Sequence, residues 1–167
     1  MLTEKELQEL RALAGGHARR EEVATEALRI VQRHRGWVSD ESLKDVAEFL
    51  GSSPTGLDAV ATFYNRIYRS PAGKHVIRIC DSVSCWIMGY ESMLGHLQKR
   101  LGIASFGHTT ADGMFTLLPA ACLGTCDHAP AMMVDDETYG DLTPDAIDRI
   151  LDGYRTSAMD AAGPGKG

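Results

Sequence analysis

Several features are missing from this chain, and each absence narrows what it can be. No apolar run approaches the roughly 20 residues that a membrane-crossing helix needs. The opening Met1-Leu-Thr-Glu-Lys-Glu lacks the basic-then-apolar layout of a signal peptide. A cytoplasmic chain without direct membrane insertion is the expectation. No Gly-x-Gly-x-x-Gly opens a helix after a strand and no phosphate loop is present, so neither a nicotinamide nor a flavin is expected to be bound by this chain itself. No Cys-x-x-Cys pair exists for thioredoxin-type dithiol exchange. Positive charge is scarce where it would matter for nucleic acid. Residues 1–75 carry 11 Lys/Arg against 11 Asp/Glu, whereas residues 76–157 carry 5 against 11, so the net −6 sits on the second half. A basic footprint for DNA or RNA is therefore absent.

What is present is four cysteines, all between Ile79 and Asp127, as Cys80-x4-Cys85 and Cys122-x3-Cys126. In a reducing compartment such residues point to metal rather than to disulfides. Four soft thiolates select zinc or an iron-sulfur cluster. Zinc knuckles favour two-residue spacers, though longer ones are tolerated. The plant-type ferredoxin run is also missing, because 36 residues separate Cys85 from Cys122. Spacing alone leaves both metals open.

The runs around these cysteines carry a resemblance. Val76-Ile-Arg-Ile-Cys80-Asp-Ser-Val-Ser-Cys85, Phe115-Thr-Leu-Leu-Pro-Ala-Ala-Cys122-Leu-Gly-Thr-Cys126-Asp and Ala129-Pro-Ala-Met-Met-Val-Asp resemble the thioredoxin-like 2Fe-2S subunit of respiratory NADH:quinone oxidoreductase, complex I. Arg35-Gly-Trp and Ala61-Thr-Phe-Tyr resemble that family's helical N-terminal portion. The likeness spans roughly residues 20 to 155, and both cysteine pairs match. It implies one 2Fe-2S cluster on Cys80, Cys85, Cys122 and Cys126, with FMN and NADH held by a partner flavoprotein subunit of a complex on the cytoplasmic face of the inner membrane. It implies no catalysis by this chain alone. Equivalent subunits occur in NAD-linked hydrogenases and formate dehydrogenases, and a zinc-stabilised adaptor is the competing reading from another class.

The expected fold is α/β, an N-terminal helical bundle followed by a thioredoxin-like ferredoxin domain. Thr3 and Glu6 form a capping-box signature, with Leu7, Leu10 and Ala14 on one face. Val23, Ala27, Ile30 and Val31 predict a helix over about 19–35 that ends at Gly36. His34 reads as a partly buried histidine with a backbone partner. Ser39-Asp40 and Ser53-Pro54 each open a further helix. Those two short helices have the look of a helix-turn-helix, but the neutral charge favours an ordinary bundle. Trp37, Phe63 and Tyr64 read as core or interface aromatics, with docking to the flavoprotein as their use. Ser70-Pro-Ala-Gly73 is a turn cluster and the predicted boundary. Residues 1–73 are then the helical domain and 74–156 the cluster domain.

Within the second domain His75 to Cys80 predicts a strand that delivers Cys80 at its end. Tyr90, Met93, Leu94, Leu97 and Leu101 predict a helix, Asp112-Gly113 a hairpin turn, and Ala131 to Val134 another strand. Thr143-Pro144 opens a final helix, and 157–167 reads as a disordered tail. Ser82, Ser84 and Thr125 are candidate hydroxyl donors to sulfur. Met132 and Met133 either shield the site or fill the core. His128 reads as exposed rather than as a Rieske-type ligand, because four thiolates already complete the set.

Overall fold

The computed structural model of the chain describes residues 1–161 and divides into two units, Met1–Ala72 and a second beginning at Gly73. In the first unit the helices are α1 (Glu4–Ala14), α2 (Ala24–Arg35), α3 (Asp40–Leu50) and α4 (Pro54–Phe63). Their starts follow from local chemistry. Thr3 and Glu6 make the reciprocal capping box on α1, and the hydroxyls of Ser39 and Ser53 accept from Ser42 N–H and Gly56 N–H. The segment ahead of α2 lacks such a cap, and Arg20–Val23 form a 3-10 turn where a continuous helix from about residue 19 is expected from the sequence.

Aliphatic side chains fill the core of this unit: Leu10, Leu28, Val31, Val46 and Ala47 are fully buried. Phe49 packs against it, but the aromatics expected to serve the core or an interface stay out of it. Phe63 is 79% exposed, packed edge-on against an exposed Tyr64, and Trp37 is half-buried. His34 differs from expectation in its partner, which is the carboxylate of Glu9 at 2.8 Å. A carboxylate on a facing helix outcompetes a backbone carbonyl because a charged acceptor makes the stronger bond.

The second unit contains β1 (His75–Cys80), α5 (Val83–Ile87), α6 (Tyr90–Leu101), β2 (Phe115–Ala120), β3 (Met132–Val134), β4 (Glu137–Tyr139) and α7 (Pro144–Ala161). The sheet order is β2-β1-β3-β4. β1 and β2 are parallel, with Cys80 opposite Ala120, and the other two pairings are antiparallel. Ile77, Ile79, Phe115, Leu117, Met132 and Val134 pack with Met93, Leu97 and Leu101 of α6 and with Ile147 and Leu151 of α7. Met132 therefore belongs to the core.

Residues 107–110 run along the open side of β2: Gly107 N–H donates to Leu117 O, Leu117 N–H to His108 O, and Thr110 N–H to Phe115 O. The Asp112-Gly113 turn is present, but the arm ahead of it forms no named strand and meets β2 through these bonds and an isolated Thr109–Thr116 bridge. Helix α7 runs on to Ala161, so Ser157 onward is helical for five residues where the sequence suggests a disordered tail. The Thr156 and Ser157 hydroxyls bond back to the carbonyls of Asp152 and Gly153, which keeps the turn wound. Residues 162–167 lie outside the described residues.

Gly73 sits with the second unit. Its N–H donates to Thr116 Oγ1 at 2.6 Å, and a Cβ there would meet backbone of Gly113 and Phe115 at 3.0 Å. A fragment that starts at Gly73 keeps every core residue of the sheet unit, and it is expected to fold and to hold iron when expressed alone. Far-UV circular dichroism with iron analysis checks this, and an insoluble or iron-free fragment beside a loaded full chain would refute it.

Candidate metal centre

Strand topology explains why cysteines so far apart in sequence meet. Neighbouring parallel strands end at the same edge of a sheet and need a long crossover between them, supplied here by α5, α6 and the loop to β2. Cys80 closes β1. Its N–H donates to Ala131 O at 3.0 Å, and the next N–H, of Asp81, donates to Ala120 O at 3.0 Å. Cys85 lies one turn on, in α5. Cys122 and Cys126 follow the end of β2, the latter opening a 3-10 turn, Cys126–His128.

The four sulfurs form two pairs of different character. Cys80 and Cys85 are 2% and 1% exposed, in a small cluster with Ala129 and Ala131 that Tyr90 and Leu123 cover. Cys122 and Cys126 are exposed, with their Sγ atoms 3.8 Å apart. That separation suits two thiolates on one tetrahedral metal, whose metal–sulfur bonds of about 2.3 Å set an edge of about 3.8 Å. Among the described residues no group of three or more His, Cys, Asp or Glu side chains is drawn together as a ready-made single-ion site.

Charge on the sulfurs is met by local donors. Burial pushes the Cys80 thiol up, but the Ser82 hydroxyl and N–H, with the Leu123 N–H, outweigh it and leave the pKa below that of a free thiol. Ser82 Oγ is 3.3 Å from this sulfur. Burial, followed by the neighbouring Cys80, pushes Cys85 up, with the Ala131 N–H acting against both. Cys126 is raised first by Cys122 and is also sensitive to Ser84 and Cys80, which places both loops within electrostatic reach of each other. Gly124, at φ +81°, directs its N–H to Cys122 Sγ at 3.3 Å.

Of the donors expected from sequence, Ser82 lies at Cys80 Sγ and Ser84 acts on Cys126, while the Thr125 carbonyl accepts from His128 N–H. The amides of Leu123 and Ala131 have no residue-type signature and could not be foreseen. His128 is exposed and bonded through Nδ1 to Asp141 at 2.7 Å. Asp141, with Asp127 beside it, raises the imidazole's pKa.

The family model for the thioredoxin-like 2Fe-2S ferredoxins matches residues 10–155. The chain belongs to that family. The cofactor of this ferredoxin fold is one 2Fe-2S cluster, and buried and exposed thiolate pairs with N–H and O–H donors turned toward them fit such a group. The chain is 54% identical over 129 residues to the E subunit of the NADH-quinone oxidoreductase of Pseudomonas aeruginosa, with 77% of each chain covered. It is 51% identical over 130 residues to the protein of the same name from Escherichia coli K12, with 78% of each covered. Among solved structures it matches a chain of an NAD+-reducing NiFe-hydrogenase in the H2-reduced state with a TM-score of 0.68 at 23% identity. That match covers 80% of this ferredoxin but only 22% of the hydrogenase chain, and it speaks to fold alone.

Proposed function

We propose that the chain is the 2Fe-2S electron-transfer component of an NADH:quinone oxidoreductase, exchanging electrons with the FMN of a partner flavoprotein subunit. The observation that carries the site is the convergence of two cysteine loops at one end of the β1–β2 pair. Cys80, Cys85, Cys122 and Cys126 are the four ligands in this reading. When bound, the cluster supplies a reservoir for a single electron, as a dianion that becomes a trianion on reduction. Ser82, Gly124 and the Leu123 and Ala131 amides offset that charge at the sulfurs. Asp81 and Asp127, at the same loops, work in the opposite sense and favour a low potential.

The chain also has the surface that electron exchange requires. Val83, Trp86, Ile87 and Met88, all 59–72% exposed, stand on and just after α5, beside Cys85. Four large apolar side chains grouped in this way mark a contact surface. Phe63 and Tyr64 offer a second one on the helical unit. Both surfaces suit a lasting contact better than a charge-steered encounter, because desolvating unpaired charges is costly. Among the described residues no helix is long and apolar enough to cross a membrane. As a component of such an oxidoreductase the chain belongs to the peripheral arm on the cytoplasmic face, held by its partner subunit.

Purified full chain is expected to be red-brown, with about two irons and two labile sulfides and an EPR signal on reduction. It is also expected to retain the flavoprotein subunit through a moderate salt wash. A colourless chain with one zinc would instead indicate the adaptor reading. Capture of a hydrogenase or formate dehydrogenase flavoprotein would keep the chemistry and change the complex.

A further inference from the structure

The exposed half of the site raises a physical question that its ligands do not answer. Cys80 and Cys85 are fixed by burial, and Cys80 also by the sheet. Cys126 has neither support: it is exposed and opens a three-residue 3-10 turn that no side chain caps. A ligand on such a turn would swing freely unless something else held it.

The turn that leaves β4 supplies the hold. Asp141 N–H donates to His128 O at 2.7 Å, His128 Nδ1 meets Asp141 Oδ2 at 2.7 Å, and Leu142 N–H donates to Pro130 O at 3.0 Å. Gly140 lies so close that a Cβ there would stand 2.5 Å from His128 Cβ and 2.7 Å from its carbonyl oxygen. Asp141 itself has φ +51°, a conformation Asp tolerates better than most residues. Two hydrogen bonds and one glycine contact thus clasp His128 at the end of the cysteine turn, and the third bond holds Pro130 just beyond it. Leu142 anchors the strap in the core beside Ile147, whereas Gly140 and Asp141 lie outside that core.

We infer that Gly140–Leu142 is a strap whose His128–Asp141 bond positions the Cys126 thiolate for the cluster, so that it governs how fast iron is lost. This rests on Cys126 being a ligand. Partners of this kind, outside the ligands themselves, commonly change metal retention by an order of magnitude or more.

The test uses full chain loaded with its cluster and follows iron release to a ferrous chelator without oxygen. His128→Ala and Asp141→Ala are each expected to start with the parent's iron content and release it about tenfold faster. The double variant is expected to be no faster than either single one, because both remove the same bond. Asp141→Asn, whose amide oxygen still accepts from the imidazole and which tolerates a positive φ, is expected to restore the parent rate. The reduced EPR line shape is expected to change in the two alanine variants and to return in the asparagine variant. Parent-like release in both alanine variants, or multiplying effects in the double, would overturn the strap. A Cys126→Ala chain that keeps its iron and spectrum would instead sink the ligand reading beneath it. His128→Ala keeps Asp at the positive-φ position 141, so the test survives a folding defect in Asp141→Ala.

Discussion

Replacing any one of Cys80, Cys85, Cys122 or Cys126 by Ala is expected to abolish the visible colour and the EPR signal of the reduced protein and to leave little bound iron. Binding free energy in a metal-dependent site is shared with the fold, so the sheet unit should also unfold at lower temperature in each variant. The two pairs are expected to differ in rescue. An added small thiol can reach the vacant position of a Cys122 or Cys126 variant because both are exposed, whereas Cys80 and Cys85, at 2% and 1% exposure, leave no entry. Reconstitution with excess thiol should therefore restore part of the spectrum in the first two variants and none in the others. Full retention of iron and colour in any untreated single variant would remove that residue from the ligand set.

The second large effect belongs to the helical unit. Glu6 is 1% exposed and accepts from Arg35 Nε and Nη2, each at 2.6 Å, while Arg35 Nη1 donates to Ser42 Oγ. Arg35 foremost, with Thr3, holds the Glu6 carboxyl down from 4.5 to about 2, against its burial. A folded-state pKa below the unfolded one means stability that is present above pH 4.5 and lost as pH falls toward about 2. The shift corresponds to about 3 kcal/mol. Glu6→Ala is expected to lose on the order of that much, because a half-buried guanidinium is left without its carboxylate. For a unit of this size the thermal midpoint should fall by more than about 10 °C. Glu6→Leu with Arg35→Met, which removes both charges, should recover most of the loss. Helical circular dichroism against temperature and pH measures these effects. A Glu6→Gln chain with the parent's acid profile would show that the pair contributes nothing.

That ion pair marks the limit of what sequence can show. Thr3 and Glu6 are readable as a capping box because the partners are three residues apart. Arg35 lies 29 residues from Glu6, and no periodicity connects them. The stripe Tyr90 to Leu101 and the run His75–Cys80 are legible because a helix face and a buried strand each impose a pattern on consecutive residues. α5 and β4, of five and three residues, are too short to carry any period. β2 reads as the arm of a hairpin because the Asp112-Gly113 turn precedes it, yet its main partner is β1, running parallel. The ligands are legible for a different reason, since cysteine chemistry advertises itself, whereas backbone donors to sulfur do not.

The border of the sheet at β2 has a bearing on how this protein behaves in company. An open strand invites another chain to add itself, in orderly complexes as in aggregates. Here Phe115 and Leu117 already spend their outward backbone groups on residues 107–110, and Pro119 farther along has no N–H to offer. At the opposite border β4 is three residues long and begins with the charged Glu137. Neither margin offers a template for zippering, so chains that lose their cluster during assembly should remain dispersed and reloadable rather than polymerise through their sheets.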